Sequence, residues 1–140
     1  MNIPFFNRLQ IKKITVGVAD ENGRRAQKVL EGLLEDIPEL LMSCVVDTNS
    51  GKVLAFYTTN SAYNPNQISL RHAKLLRTME EAVATKVWPG GPLTDVSVIL
   101  EDQLHHLRPF NEGKWYCFLA VRLADANLGI AKEIMRRHTV

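Results

Sequence analysis

The chain has 140 residues, 46% of them apolar and 23% charged, with 8 glycines, 6 prolines and a formal net charge of +2. Such a length makes one ordinary domain that buries about two-thirds of its unfolded surface, so its core needs neither disulfide nor metal. The balance excludes disordered, collagenous, coiled-coil and low-complexity chains, and so mild a charge gives no sign of a nucleic-acid partner.

Two cysteines, Cys44 and Cys117, are too few for the framework of a small secreted module. The opening Met1-Asn2-Ile3-Pro4-Phe5-Phe6 breaks at Asn7-Arg8 before it builds the apolar run of a signal peptide. No apolar run approaches the roughly 20 residues of a bilayer span. The expectation is a cytoplasmic protein with reduced thiols and no membrane insertion.

Residues 1–20 read as an N-terminal extension, locally extended around Ile14, Val16 and Val18, that can add an edge strand. Asp20-Glu21-Asn22-Gly23 is turn chemistry that can cap the next element. From Arg24 to Ile37, Ala26, Val29, Leu30, Leu33, Leu34 and Ile37 recur at three-and-four spacing, predicting an amphipathic helix ended by Pro38. Leu40–Val46 and Lys52–Thr58 flank the polar Asp47-Thr48-Asn49-Ser50-Gly51, which predicts a β-hairpin.

After a loop broken at Asn64-Pro65-Asn66, a long helix is predicted over Ile68–Val87 and stopped by Trp88-Pro89-Gly90-Gly91-Pro92. Thr94–Glu101 alternates as a half-buried strand, and Gln103–Arg108 follows as a more polar strand closed by Pro109. Trp115–Val121 is apolar throughout, as a strand covered on both faces requires. Asn127-Leu128-Gly129-Ile130-Ala131 opens a last helix with Ile130, Ile134 and Met135 inward. The fold class is α+β, a five-stranded antiparallel sheet with helices on both faces, in the order helix-strand-strand-helix-strand-strand-strand-helix.

Candidate chemistry is thin. Gly51-Lys52 and Gly113-Lys114 run into strands at Val53 and Trp115, so neither is a phosphate-binding loop. His105 and His106 are adjacent on a strand and face opposite sides, so they cannot share a metal ion, and one is expected to be exposed and the other half-buried. Cys44 and Cys117 are expected in central strands as small hydrophobes. A nucleophilic Cys117 served by His105 or His106 is the enzyme alternative. Ser50 lacks a Gly-x-Ser-x-Gly elbow, and Asp125 reads as a helix-start signal.

The long helix carries more information. Arg71, Lys74, Arg77, Thr78 and Glu81 share its outer side, while Leu70, Leu75, Leu76, Met79, Ala82 and Val83 make an apolar stripe wider than one contact needs. Thr94–Glu101 has no Pro, Lys or bulge signal, so at a sheet edge it would be open to pairing with another chain.

Over roughly residues 21–140 this pattern resembles the roadblock / dynein light chain family. The resemblance is carried by the helix ending in Ile37-Pro38-Glu39-Leu40, by the hairpin from Val45 through Asp47-Thr48-Asn49-Ser50-Gly51 to Ala55, and by Asn127-Leu128-Gly129 after the last strand. It implies a profilin-like roadblock sandwich that binds and does not catalyse, with no cofactor, no metal and no catalytic residue. It also implies a homodimer or heterodimer in which Thr94–Glu101 pairs with its mate and the long helices lie side by side. The interface would then take in Leu75, Leu76, Met79, Val96, Val98 and Leu100. Family members commonly regulate or scaffold Ras-like small GTPases, which makes Arg71, Lys74, Arg77, Thr78 and Glu81 the partner-binding candidates. A small-molecule sensor of the PAS or GAF type is the alternative, and it requires a hollow space between helix and sheet.

Overall fold

A computed structural model describes residues 14–140, so the part of the expected extension before Ile14 lies outside the described residues. In chain order the elements are β1 (Thr15–Val16), α1 (Glu21–Asp36), β2 (Met42–Asp47), β3 (Val53–Thr58), α2 (Pro65–Ala84), β4 (Val96–Ile99), β5 (Gln103–Phe110), β6 (Trp115–Arg122), a 3-10 turn (Leu123–Asp125) and α3 (Leu128–His138).

All strand pairs are antiparallel, in the spatial order β1-β3-β2-β6-β5-β4. Among the described residues the sheet therefore has six strands and not the expected five, and the element order begins with a strand. The added strand is short: Thr15 pairs with Phe56 and Val16 with Ala55, which gives β3 a second neighbour.

β6 shows why the sheet is covered on both sides. Trp115, Cys117, Leu119 and Val121 join the core under α1 and α3, while Tyr116, Phe118 and Ala120 join the core under α2. Alternation thus feeds two apolar layers from one strand. The space beneath α2 is filled by Ala73 and Leu76 from the helix and by Met42, Cys44, Val46 and Leu107 from the sheet.

The ends of the elements follow local chemistry. Asp20 caps α1 by accepting from the Gly23 amide at 3.1 Å. In the β2–β3 turn Asp47 Oδ1 accepts from the Asn49 and Ser50 amides, and Gly51 closes the turn at φ +73°. A Cβ on Gly51 would also lie 2.8 Å from the Leu70 side chain, so glycine lets the turn approach α2.

Four sequence expectations are corrected by the local structure. Pro65 does not break the chain but occupies the first position of α2, where its missing N–H costs nothing, and Asn64 is the cap. Pro109 lies inside β5, on the stretch beyond its pairing with β4, so only β6 flanks it. Ile130 is 58% exposed, because Ala131, Ile134 and Met135 form the inward face of α3. Asn127 caps that helix by accepting from the Ile130 amide, whereas Asp125 pairs with Arg122 in the preceding turn.

Candidate functional site on the long helix and the sheet edge

The sequence builds α2 as a rigid rod of 20 residues. Asn64 Oδ1 accepts from the Asn66 and Gln67 amides, and at the other end Thr85 Oγ1 donates to the Ala82 carbonyl before Lys86 turns away with φ +60°. Ser69, His72, Ala73 and Leu76 face the sheet and are buried, and the Tyr116 hydroxyl donates to the Ser69 carbonyl.

Arg71, Lys74, Arg77, Thr78 and Glu81 are all exposed on the outer side. Arg71, Lys74 and Arg77 line an open groove of about 600 Å³ with Gln67, Ile68 and Leu70. Among the described residues none of these three cations has an ion-pair partner. The Thr78 hydroxyl donates to the Lys74 carbonyl one turn back.

The expected interface residues fall into two groups. Leu75 and Met79 are half-buried on the flank of α2, and Val96 and Val98 are half-buried on the sheet face that α2 covers. Leu76 is only 1% exposed and belongs to the protomer's own core. Leu100 is 45% exposed just past β4, where its amide donates to the Gln103 carbonyl. Among the described residues β4 forms an outer edge of the sheet and spans four residues, Val96-Ser97-Val98-Ile99, with no charge or proline to block pairing.

His105 is half-buried, as expected of one of the adjacent pair, but His106 is buried, which corrects the expectation that the other would be exposed. His105 faces α2, where its Nδ1 lies 3.2 Å from His72 Nε2 and its Nε2 lies 3.0 Å from Gln103 Oε1. Burial lowers both, His72 to about 4 with a further contribution from His105. His106 faces the other layer and is 1% exposed.

There His106 joins residues that the sequence reading did not single out. Its Nε2 is 2.8 Å from Asp95 Oδ1, its Nδ1 is 2.7 Å from Ser97 Oγ, and Arg108 donates to Asp95 Oδ2 at 2.9 Å. The signal was present as two pairs at strand spacing, Asp95 with Ser97 and His106 with Arg108. Only the register Ser97↔His106 puts them on one face.

The thiols behave as core groups. Cys44 and Cys117 are fully buried, burial drives both away from the thiolate, and Cys117 is pushed up to about 12. Cys117 Sγ faces its neighbour's carbonyl, that of Phe118, at 3.9 Å.

No family model matches the sequence, and no curated protein matches it. Solved structures do match in shape. Myxococcus xanthus MglB superposes with a TM-score of 0.73 at 10% identity, covering 87% of each chain. An MglB with a tetrameric arrangement gives 0.66 at 16% identity over 89% of this chain and 90% of that one. A Roadblock/LC7 domain from Streptomyces avermitilis gives 0.64 at 17% identity over 78% and 87%. At these identities the likeness concerns fold, and it agrees with the two-layered sheet built above: the chain has the roadblock/LC7 fold.

Proposed function

We propose that the chain is a self-associating, non-enzymatic regulator or scaffold of a Ras-like small GTPase, with the outer face of α2 as its docking platform. The observation that carries this reading is the row Arg71, Lys74 and Arg77, without ion-pair partners among the described residues, along an open groove on a long helix. Exposed cations add little to the fold and can steer and orient an acidic partner surface. Thr78 and Glu81 extend that contact toward the C-terminal end of the helix.

Self-association rests on β4. Its edge, unpaired among the described residues and with Val96, Val98, Leu75 and Met79 half-buried beside it, is a surface that a second copy would complete. In the proposed homodimer β4 pairs with its mate and the two α2 helices lie side by side, so the platform is continuous across the pair. Leu76 supports α2 from below, and Leu100 closes the rim. The roadblock-like unit is residues 21–140, and the segment before it reaches the sheet's other edge through β1. We place the protein in the cytoplasm; among the described residues no helix is long and apolar enough to cross a membrane. The packed space under α2 leaves a PAS- or GAF-type sensor without the hollow it requires.

The test is affinity capture from lysate of the source cell, with GDP or a non-hydrolysable GTP analogue added, using the unaltered chain and Arg77→Glu. Capture of a Ras-like GTPase in one nucleotide state by the unaltered chain, and its loss with Arg77→Glu, supports the reading. Equal capture by both removes α2 from the site.

A further inference from the structure

Between α2 and β4 the chain holds apolar surface that the helix platform does not use. Lys86 turns the backbone away from the helix end at φ +60°, and Val87 and Trp88 then stand out, 78% and 50% exposed. Val83, Ala84, Lys86, Trp88, Gly91 and Pro92 line an open groove of about 440 Å³. Pro89 and Pro92 restrict the backbone on either side of Gly90 and Gly91, so the wall that carries Trp88 is largely set before anything binds. On the far side of β4, Ile99 and Leu100 are exposed as well, so large apolar side chains in water flank this strand at both ends.

The pairing rules say what can cover them. Residues directly opposite one another in an antiparallel pair share a face of the sheet. Val96 lies opposite Leu107 and Val98 opposite His105, on the face beneath α2. The Leu100 amide donates to the carbonyl of Gln103, whose side chain meets His105, so Leu100 follows on that face. In a twofold β4 pair centred on Val98, Val98 meets its own copy and Val96 meets Leu100 of the partner subunit, which makes the whole apolar row self-complementary. Centred on Ser97, the pair would instead set Leu100 against Thr94. The register on Val98 brings Leu100 of the partner subunit to the start of β4, the end into which the Trp88 segment leads. Leu93, between Trp88 and β4, packs into the core beneath α2 and keeps that segment on the same face.

Area and charge point to the same occupant. A stable interface buries about 800 Å² on each partner, whereas the four residues of β4 run only about 13 Å. Leu75, Met79, Val96 and Val98 are already half-buried, so further apolar surface has to come from Trp88 and Leu100. Lys86 stands at the groove and Glu101 follows Leu100, both exposed and without ion-pair partners among the described residues. We propose, on the footing of the β4 self-association read above, that this groove is the socket for Leu100 of the partner subunit. Trp88 is its aromatic anchor, and Lys86 faces Glu101 of the partner subunit at the rim. The socket occurs twice in the dimer, and neither protomer completes it alone.

The two tryptophans make the test direct. Trp115 is 4% exposed, so acrylamide quenching reports Trp88. The full-length dimer is compared with Val98→Lys at concentrations where sedimentation velocity shows that variant as monomer. The expected result is weaker quenching and emission at shorter wavelength in the dimer. Trp88→Ala and Leu100→Ala each raise the dimer dissociation constant about tenfold or more, the scale of a buried anchor, with circular dichroism unchanged. Lys86→Glu and Glu101→Lys each weaken the dimer, and the two together restore it. Equal quenching in monomer and dimer overturns the socket while leaving the β4 edge in place, whereas a chain that stays monomeric at every concentration overturns both. Protection of Trp88 that appears only when the captured GTPase is added also overturns it, since the groove then belongs to that partner.

Discussion

Val98→Lys tests the sheet edge as a self-association surface. Val98 lies in the middle of β4 and is half-buried on the side that α2 covers, opposite His105. Full burial of a valine stabilises by about 1.5–3 kcal/mol, so completing a half-buried one contributes about 1 kcal/mol per protomer on association. The lysine adds about 1 kcal/mol or more for an ammonium brought close to an interface without an acceptor. A twofold interface contains the site twice, giving about 4 kcal/mol in all, or about a thousandfold in the dimer dissociation constant. The fold should be almost unaffected, since the lysine stem can lie along the strip while its head stays in water. Sedimentation velocity over a concentration series reads the constant, and circular dichroism checks the fold. A dissociation constant within a few-fold of the unaltered chain would refute the use of this edge.

Other changes separate the platform from the scaffold that holds it. Arg77→Glu should weaken GTPase binding at least about tenfold at low ionic strength, in line with the 1.4 kcal/mol or more expected of a lost charge contact, while sedimentation shows an intact dimer. Leu76→Ala should cost about 2–5 kcal/mol in urea unfolding, because the side chain is buried under α2 and its loss leaves a cavity. The His72–His105 pair should make stability fall with acid. His72 has a folded value of about 4 against about 6.5 when unfolded, so the unfolded chain binds the extra proton between about pH 6.5 and about pH 4, and stability drops there by up to about 3 kcal/mol. His72→Gln should flatten that part of the profile in denaturant titrations. Asp95 acts at lower pH: its depressed folded value stabilises above about pH 3.9 and that stabilisation is lost as pH falls through the folded value, so Asp95→Asn should show a shallower acid limb.

Much of the fold was legible because strong local signals agreed with one another. The three-and-four spacing of α1, the Asp47–Gly51 turn and the unbroken apolar run of β6 each allow one element type. The misreadings arose where a single residue has two meanings. Pro65 both ends a loop and begins a helix, and the cap hydrogen bonds of Asn64 decide between them. Ile130 fits an apolar stripe by type, yet the start of α3 projects it outward.

The outer face of α2 could be read from helical spacing alone, because its five polar residues and the helix axis lie in one continuous segment. The Asp95–His106–Ser97 chain could not. It joins two strands whose pairing depends on the register of the β4–β5 turn, and a slip of one residue would send Ser97 and His106 to opposite faces. Leu76 and Leu75 differ for the same reason: neighbours on a helix diverge by about 100°, and only the position of the sheet shows which one enters the core.

The central claim is that α2 is the surface that receives a small GTPase. Hydrogen–deuterium exchange of the chain, alone and saturated with the captured GTPase in its preferred nucleotide state, tests it most directly. The account predicts new protection concentrated in residues 65–84, in the half containing Arg71, Lys74 and Arg77, with α1 and α3 unchanged. Protection confined to α1 or α3, with α2 exchanging as it does in the free protein, would contradict it.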